Sequence, residues 1–350
     1  MDPEPNRVAG ERTPLFADEQ SSRDYSDVIL RQQRPLAYTL FFDPNYTPGK
    51  DSDTLVVRSL AHVCHVTKVT LYSDYVNFLL VMVPIGIVAG AVGWSPATVF
   101  TLNFFAIIPL AAVLSFATEQ IAMKLGESMG GLLNATFGNA VELIVSIVAL
   151  KDGQIEVVQS SMLGSILSNL LLVMGMCFFL GGLCHRGRTG SGTEQGFSAA
   201  VAQTTCSLMT LSSASLVIPA AVALILSRAT AIILLVLYIL YLIFQLRTHS
   251  NLFDAEGQNA AELEAEEQPR LGAISAAAVL VVVTVLVSIC AEYLVGSIDD
   301  LVDSANISKA FIGLILIPIV GNAAEHVTAV VVALRNKMDL AMGVAMGSSI

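Results

Sequence analysis

Long apolar stretches, each near the length needed to cross a bilayer, constrain this chain more than any other feature. A crossing helix takes about 20 apolar residues, and eight stretches of the 350-residue sequence meet that length. They cover residues 75–93, 97–123, 130–150, 157–183, 197–226, 230–246, 274–298 and 310–334. A ninth begins near Leu340, and the sequence stops within it at Ile350. Its eleven residues make only about 16 Å of helix, too little to cross. Lipid offers no partner to exposed backbone groups, and runs this long without alternation fit helices rather than barrel strands. Composition agrees: 54% hydrophobic, 13% charged, mean hydropathy +0.70. The expected fold class is an all-α polytopic membrane protein in a lipid bilayer.

Lys and Arg gather at the cytosolic ends of such spans. With a cytosolic N-terminus, that side holds Lys124, Arg186, Arg188, Arg247, Arg270, Arg335 and Lys337, against Lys151, Arg228 and Lys309 opposite. The N-terminus is therefore expected in the cytosol. Residues 1–73 are mostly polar and rich in turn formers such as Pro48-Gly49, and are expected to be a disordered tail. Residues 74–247 then hold an N-terminal helix and a first repeat. Residues 248–270 form an acidic connector, and 271–350 a second repeat that the sequence leaves incomplete. In the connector, Glu262, Glu264, Glu266 and Glu267 follow Asp254 and Glu256 with no basic residue before Arg270. It reads either as a solvated linker or as an acidic helix over 258–268 that gathers cations. The net charge of −11 argues against nucleic-acid binding, which needs basic patches. The five cysteines stand at no metal-like spacing and read as packing residues.

Inside the third stretch lies Gly138-Asn139-Ala140-Val141-Glu142, which recurs 183 residues later as Gly321-Asn322-Ala323-Ala324-Glu325 in the eighth. A charged side chain at a helix centre costs roughly 2.5–3.5 kcal/mol on insertion scales and usually marks an ion or proton pathway. From the third span to the eighth is an odd number of crossings, so the two copies run antiparallel. That is the mark of an inverted repeat with a midplane site between its halves. At the same offset Gly164-Ser165 matches Gly347-Ser348, and seven of the 28 positions from Gly138 to Ser165 are identical. Glu119 in the second span pairs with Glu292 in the seventh if the loops differ by ten residues.

The residue types suggest the ligand. Gly-Asn within a span weakens the helix and exposes carbonyls. Asn139 and Glu142 share a helical face, as do Asn322 and Glu325. Carboxylate, amide and carbonyl oxygens are hard ligands that suit calcium better than zinc or copper. Ser165 and Ser168 add hydroxyls. Two glutamates neutralise a divalent ion, and the same pair holds protons instead, which is the exchange rule of an antiporter. Each residue alone has a plainer role: a helix-packing hydrogen bond for Glu142, close packing for Gly138 and Gly321, an interfacial position for Glu119 and Glu292. His326 breaks the repeat, standing where Leu143 stands, and reads as a proton-sensitive modulator or a polar residue facing a cavity. Asp299, Asp300 and Asp303 read as a solvated loop or as a cation-attracting mouth. No His-Glu-x-x-His or comparable constellation indicates an enzyme.

The paired segments Gly138-Asn139-Ala140-Val141-Glu142-Leu143 and Gly321-Asn322-Ala323-Ala324-Glu325-His326 resemble the signature repeats of the calcium/cation–proton exchanger (CAX) family. Ser161-Met162-Leu163-Gly164-Ser165-Ile166-Leu167-Ser168-Asn169 and the acidic connector extend the resemblance over residues 70–350, and the polar tail is similar to that of fungal vacuolar members. The resemblance implies one extra N-terminal helix before two inverted five-helix repeats, and calcium uptake from the cytosol into an acidic vacuole in exchange for protons. It implies a multi-pass vacuolar membrane protein with no cofactor beyond the transported ions, and it admits a homo-oligomer. It implies that Glu142 and Glu325 bind calcium or protons and that Gly138, Asn139, Gly321 and Asn322 shape the broken helices. Glu119 and Glu292 would be secondary carboxylates, and His326 would tune selectivity. The family has eleven helices, so the wall facing Ser165 to Asn169 is expected to be missing here and the chain alone not to transport. Two alternatives follow: a non-transporting regulator or partner of an intact exchanger, and an exchanger for manganese or other divalent cations.

Overall fold

The structure is a computed structural model that describes residues 47, 54–125, 130, 133–134, 136–185, 195–197, 199, 202–203, 206–207, 209–210, 224–243, 269–347 and 349. The chain divides into two compact units, Met1–Val69 and Thr70–Ile350. In the first, helix α1 covers Leu55–Leu71, and Thr47 Oγ1 lies 3.1 Å from His65 Nδ1. This corrects the expectation of disorder throughout 1–73. Residues 54–71 hold no Gly or Pro, the two strongest helix breakers, and include three Leu and five Val within an otherwise polar segment.

The second unit is a helical bundle. Helix α2, Tyr75–Val92, opens with a tight 3₁₀ stretch whose first turn is capped by Asp74. It ends at Gly93, whose φ of 77° lies in the left-handed region that favours glycine. Helix α3, Pro96–Leu125, is followed after the Gly138-Asn139 break by α4, Ala140–Lys151. Helix α5 runs Ile155–Cys184 with a π-helical stretch at Ser168–Val173. After α6, Leu224–Ile243, come α7, Ala273–Gly296, and the short α8, Ile298–Ala305. Helix α9, Lys309–Gly321, includes a second π-helical stretch at Ile312–Leu316 and meets α10, Ala323–Leu334, at a bend of 60°. Helix α11, Met338–Gly347, completes the described elements. Among the described residues, four helices are long and apolar enough to span a membrane, and the bent α9–α10 pair makes a fifth. Most of the expected span at 197–226, and the whole acidic connector with Glu262, Glu264, Glu266 and Glu267, lie outside the described residues. Asp299, Asp300 and Asp303 lie on α8, not in a loop.

The core forms where α3 packs along α7, the most extensive helix pair among those described. Ile107, Leu110, Val113, Leu114 and Ala117 of α3 are buried with Val283, Val287, Cys290, Ala291 and Leu294 of α7. Buried amides fix these helices beside their neighbours. Asn103 donates to the carbonyls of Val99 at 2.9 Å and Gly86 at 3.3 Å, and Gln120 Oε1 accepts from the backbone N–H groups of Arg270 at 2.7 Å and Leu271 at 3.1 Å. In a dry interior such polar links favour one alignment.

The two pentads hold matching positions in the fold. Both follow-on helices have 12 residues. Asn139 sits at φ −95°, ψ 14° and Asn322 at φ −99°, ψ 11°, so both chains leave helical geometry the same way. Each next helix ends in a turn with a left-handed residue, Gly153 at φ 73° and Asn336 at φ 62°, again 183 apart. These equivalences are consistent with the inverted repeat expected from the sequence. Helix α4 packs on α7, and its counterpart α10 packs on α3.

Candidate cation site

Each pentad sends its glutamate to the other pentad's glycine. A Cβ at Gly321 would stand 2.9 Å from Glu142 Cγ, and a Cβ at Gly138 would stand 3.7 Å from Glu325 Oε1. The helix breaks make this possible, since Gly-Asn stops one helix and starts the next with the glutamate in its first turn. There the positive end of the new helix favours a carboxylate.

A polar chain joins the halves. Ser165 Oγ of α5 donates to Glu142 Oε1, and Asn322 Nδ2 donates to Ser165 Oγ at 3.0 Å. Asn322 is 2% exposed, so its amide is held where water does not compete. One turn along α5, Ser168 Oγ lies 3.2 Å from Nε2 of the buried His326. Asn139 Oδ1 is buried and accepts no hydrogen bond from any described group. An orphaned buried oxygen costs about 1–3 kcal/mol, and a cation within reach would relieve it. Among the described residues no three His, Cys, Asp or Glu side chains cluster as metal ligands, so a cation here has to use amide, hydroxyl and backbone oxygens as well. The structure thus brings together Glu142, Glu325, Gly138, Gly321, Asn322 and Ser165, with His326 one turn away.

The secondary carboxylates lie apart from this cluster, at opposite ends of the bundle. Glu119 lines an open cavity of about 160 Å³ with Ser73, Asp74, Ser115, Arg270, Ala324 and Thr328. The cavity reaches the residue next to Glu325. Glu292 is exposed and pairs with Lys151 at 3.2 Å. Sequence reasoning missed Asp74 and Arg270 as companions of Glu119. It also missed Gln154, which bonds Asp299 and Lys309. Their sole signal was polarity at span ends, which solvated residues share. Cys177 and Cys290 are buried, as packing residues would be, whereas Cys64, Cys184 and Cys206 are exposed.

A bundle of broken, antiparallel helices with carboxylates at the breaks defines the class of ion-exchanging secondary transporters. The family described as sodium/calcium exchanger protein matches residues 95–247 and 275–350, and the chain belongs to this family. Among its relatives, the vacuolar calcium ion transporter of Schizosaccharomyces pombe is 50% identical over 318 residues, covering 86% of this chain and 74% of that protein. The Ca(2+)/H(+) antiporter of Synechocystis is 44% identical over 296 residues, covering 78% and 77%. Among solved structures, the selenium-substituted Ca2+/H+ antiporter protein YfkE superposes with a TM-score of 0.61 at 33% identity, covering 78% and 77%. The H+/Ca2+ exchanger CAX shares the fold, with a TM-score of 0.58 at 13% identity.

Proposed function

We propose that this protein is a calcium/proton antiporter of an acidic vacuolar membrane, with Glu142 and Glu325 as the shared site for calcium or protons. The observation that carries the proposal is the reciprocal seating of each glutamate against the opposite glycine, tied by the Asn322–Ser165–Glu142 chain. Two carboxylates from antiparallel helices balance one divalent charge. Their amide and hydroxyl neighbours supply further hard oxygens. On the acidic side protons occupy the carboxylates and the cation leaves; on the cytosolic side calcium displaces the protons. Asn139 Oδ1 completes the ligand set. The N-terminus faces the cytosol, which places the cavity of Asp74, Glu119 and Arg270 on the calcium-loading side.

The full-length protein, reconstituted in vesicles with an acid interior, takes up calcium while the pH gradient lasts and stops when an ionophore collapses it. Glu142→Gln and Glu325→Gln each abolish uptake while the protein remains folded. Uptake by either variant at the parent rate would overturn the assignment of the site.

A further inference from the structure

An exchange cycle needs one mouth open while the other is shut, and the two ends of the bundle differ in this respect. At one end the cavity of Asp74, Glu119 and Arg270 runs to Ala324 and Thr328. At the other end Gln154, in the turn between α4 and α5, joins a base and an acid of the opposite half. Its Nε2 donates to Asp299 Oδ2 at 2.7 Å, its Oε1 accepts from Lys309 Nζ at 3.0 Å, and Lys309 pairs with Asp299 at 2.6 Å. One amide thus closes a ring with both charged partners. Lys151 and Glu292 add a second link between the halves at 3.2 Å.

Beneath the ring, α5 and α9 meet without space between them. A Cβ at Gly313 would collide with Ser160 Oγ, and one at Gly164 with the Leu314 carbonyl oxygen. These contacts descend along α5 from Gln154 to Ser165 and along α9 from Lys309 to Asn322. The seam therefore connects the ring to the hydrogen-bonded chain at Glu142, and it leaves a cation no path between the two helices.

We propose that Gln154, Asp299 and Lys309 are the latch of the second mouth, and that α5 and α9 part along the glycine seam when it opens. The proposal rests on the exchange reading of the site. The strength of the latch suits its task. Lys309 and Asp299 side chains are 33% and 58% exposed, and an exposed ion pair shifts an equilibrium by less than about fivefold. A ring of such contacts favours the shut state yet releases in every cycle. The ion pair itself lies within one half, so the neutral Gln154 is the member of the ring that ties the halves together.

The test uses the full-length protein in acid-interior vesicles, with Cys64, Cys177, Cys184 and Cys206 replaced and native Cys290 kept. Ser161→Cys places a thiol next to the seam residue Ser160, at a position now 6% exposed. Adding Gln154→Leu is expected to raise labelling of that thiol by a small permeant reagent at least about threefold, with Cys290, at 0% exposure, still protected. In a second arm, Gln154→Cys with Lys309→Cys, bridged by a short bifunctional methanethiosulfonate, loses calcium uptake and regains it on reduction. Labelling at the parent rate, or uptake by the bridged protein, overturns the latch. If Gln154→Leu also exposes Cys290, the variant has unfolded and the bridging arm decides. If the unbridged parent takes up no calcium, the exchange reading fails, and the labelling arm still decides whether Gln154 closes the seam.

Discussion

Replacing Gly321 with alanine separates the shape of the site from the stability of the fold. The backbone accepts the change: Gly321 ends α9 without a positive φ, and alanine favours a helix over glycine by about 1 kcal/mol. The new Cβ, however, lies 2.9 Å from Glu142 Cγ, closer than side-chain carbons approach. The nearest relief is rotation of Glu142 about its own Cα–Cβ bond, since Cγ is the atom struck. Leaving the rotamer by some 30° costs about 0.5–1.5 kcal/mol. It also withdraws the carboxylate from Ser165, and a hydrogen bond to a charged group is worth about 1.5–3 kcal/mol. Together these disfavour the competent site by about 2–4 kcal/mol, and at about 1.4 kcal/mol per tenfold the calcium transport efficiency falls at least about 30-fold. Initial rates of calcium uptake measure that fall, whereas in thermal unfolding alanine's helix preference offsets part of the same cost, so the midpoint drops by less than the transport loss implies. Gly138→Ala provides the contrast. Its Cβ meets the Asn134 carbonyl oxygen at 2.8 Å, a backbone atom, so that variant loses stability as well. Parent-like transport by Gly321→Ala, or a loss no larger than its loss of folded protein, would refute the reasoning.

Three further outcomes follow from the packing and hydrogen bonds. Gln120→Leu strips two backbone N–H groups of their acceptor and is expected to cost about 2–6 kcal/mol at about 1–3 kcal/mol per orphaned group, seen as a lower unfolding midpoint. Gly313→Ala drives a methyl into Ser160 Oγ and destabilises the protein, and adding Ser160→Ala restores part of the loss. A double-mutant cycle on unfolding midpoints measures that coupling, expected at about 1–3 kcal/mol. His326→Leu removes the partner of Ser168 and is expected to change the ratio of calcium to manganese uptake in a competition assay, whereas His326→Gln, which can still reach the hydroxyl, keeps the ratio closer to the parent's.

The sequence carried the core of the site because its signal was chemical and doubled. Glu142 and Glu325 are costly where they stand, and a second copy at a fixed offset turned each into evidence about the other. The breaks were legible too, since Gly-Asn weakens a helix wherever it falls, and Asn139 and Asn322 have the same backbone geometry within a few degrees. What stayed hidden was anything set by the rotation of one helix against another. Nothing in the order of residues said that Ser168 would face His326, or that Gln154 would lie between Asp299 and Lys309. Those meetings depend on packing between elements about 150 residues apart, where the sequence offers only polarity. The helix α1 was missed for a different reason. Averaging over a polar segment hid 17 residues that are locally apolar and free of Gly and Pro.

The reciprocal arrangement gives the proposed site a reason to use two glutamates rather than one. If both ligands sat on one half, a cation would bind without regard to where the other half stood. Here Glu142 rests against Gly321 and is reached by Asn322 through Ser165, while Glu325 faces Gly138. Sliding one half against the other therefore changes both carboxylate environments together. A ligand can shift a two-state equilibrium only by its differential affinity for the two states, and a site shared across the moving boundary provides that difference. Under the proposed assignment a bound cation would hold the two carboxylates together and two protons would neutralise them separately, so either loaded form would relieve the repulsion of an empty site. The glycines keep the contact close enough for this coupling. A single methyl at position 321 breaks it by displacing the Glu142 side chain.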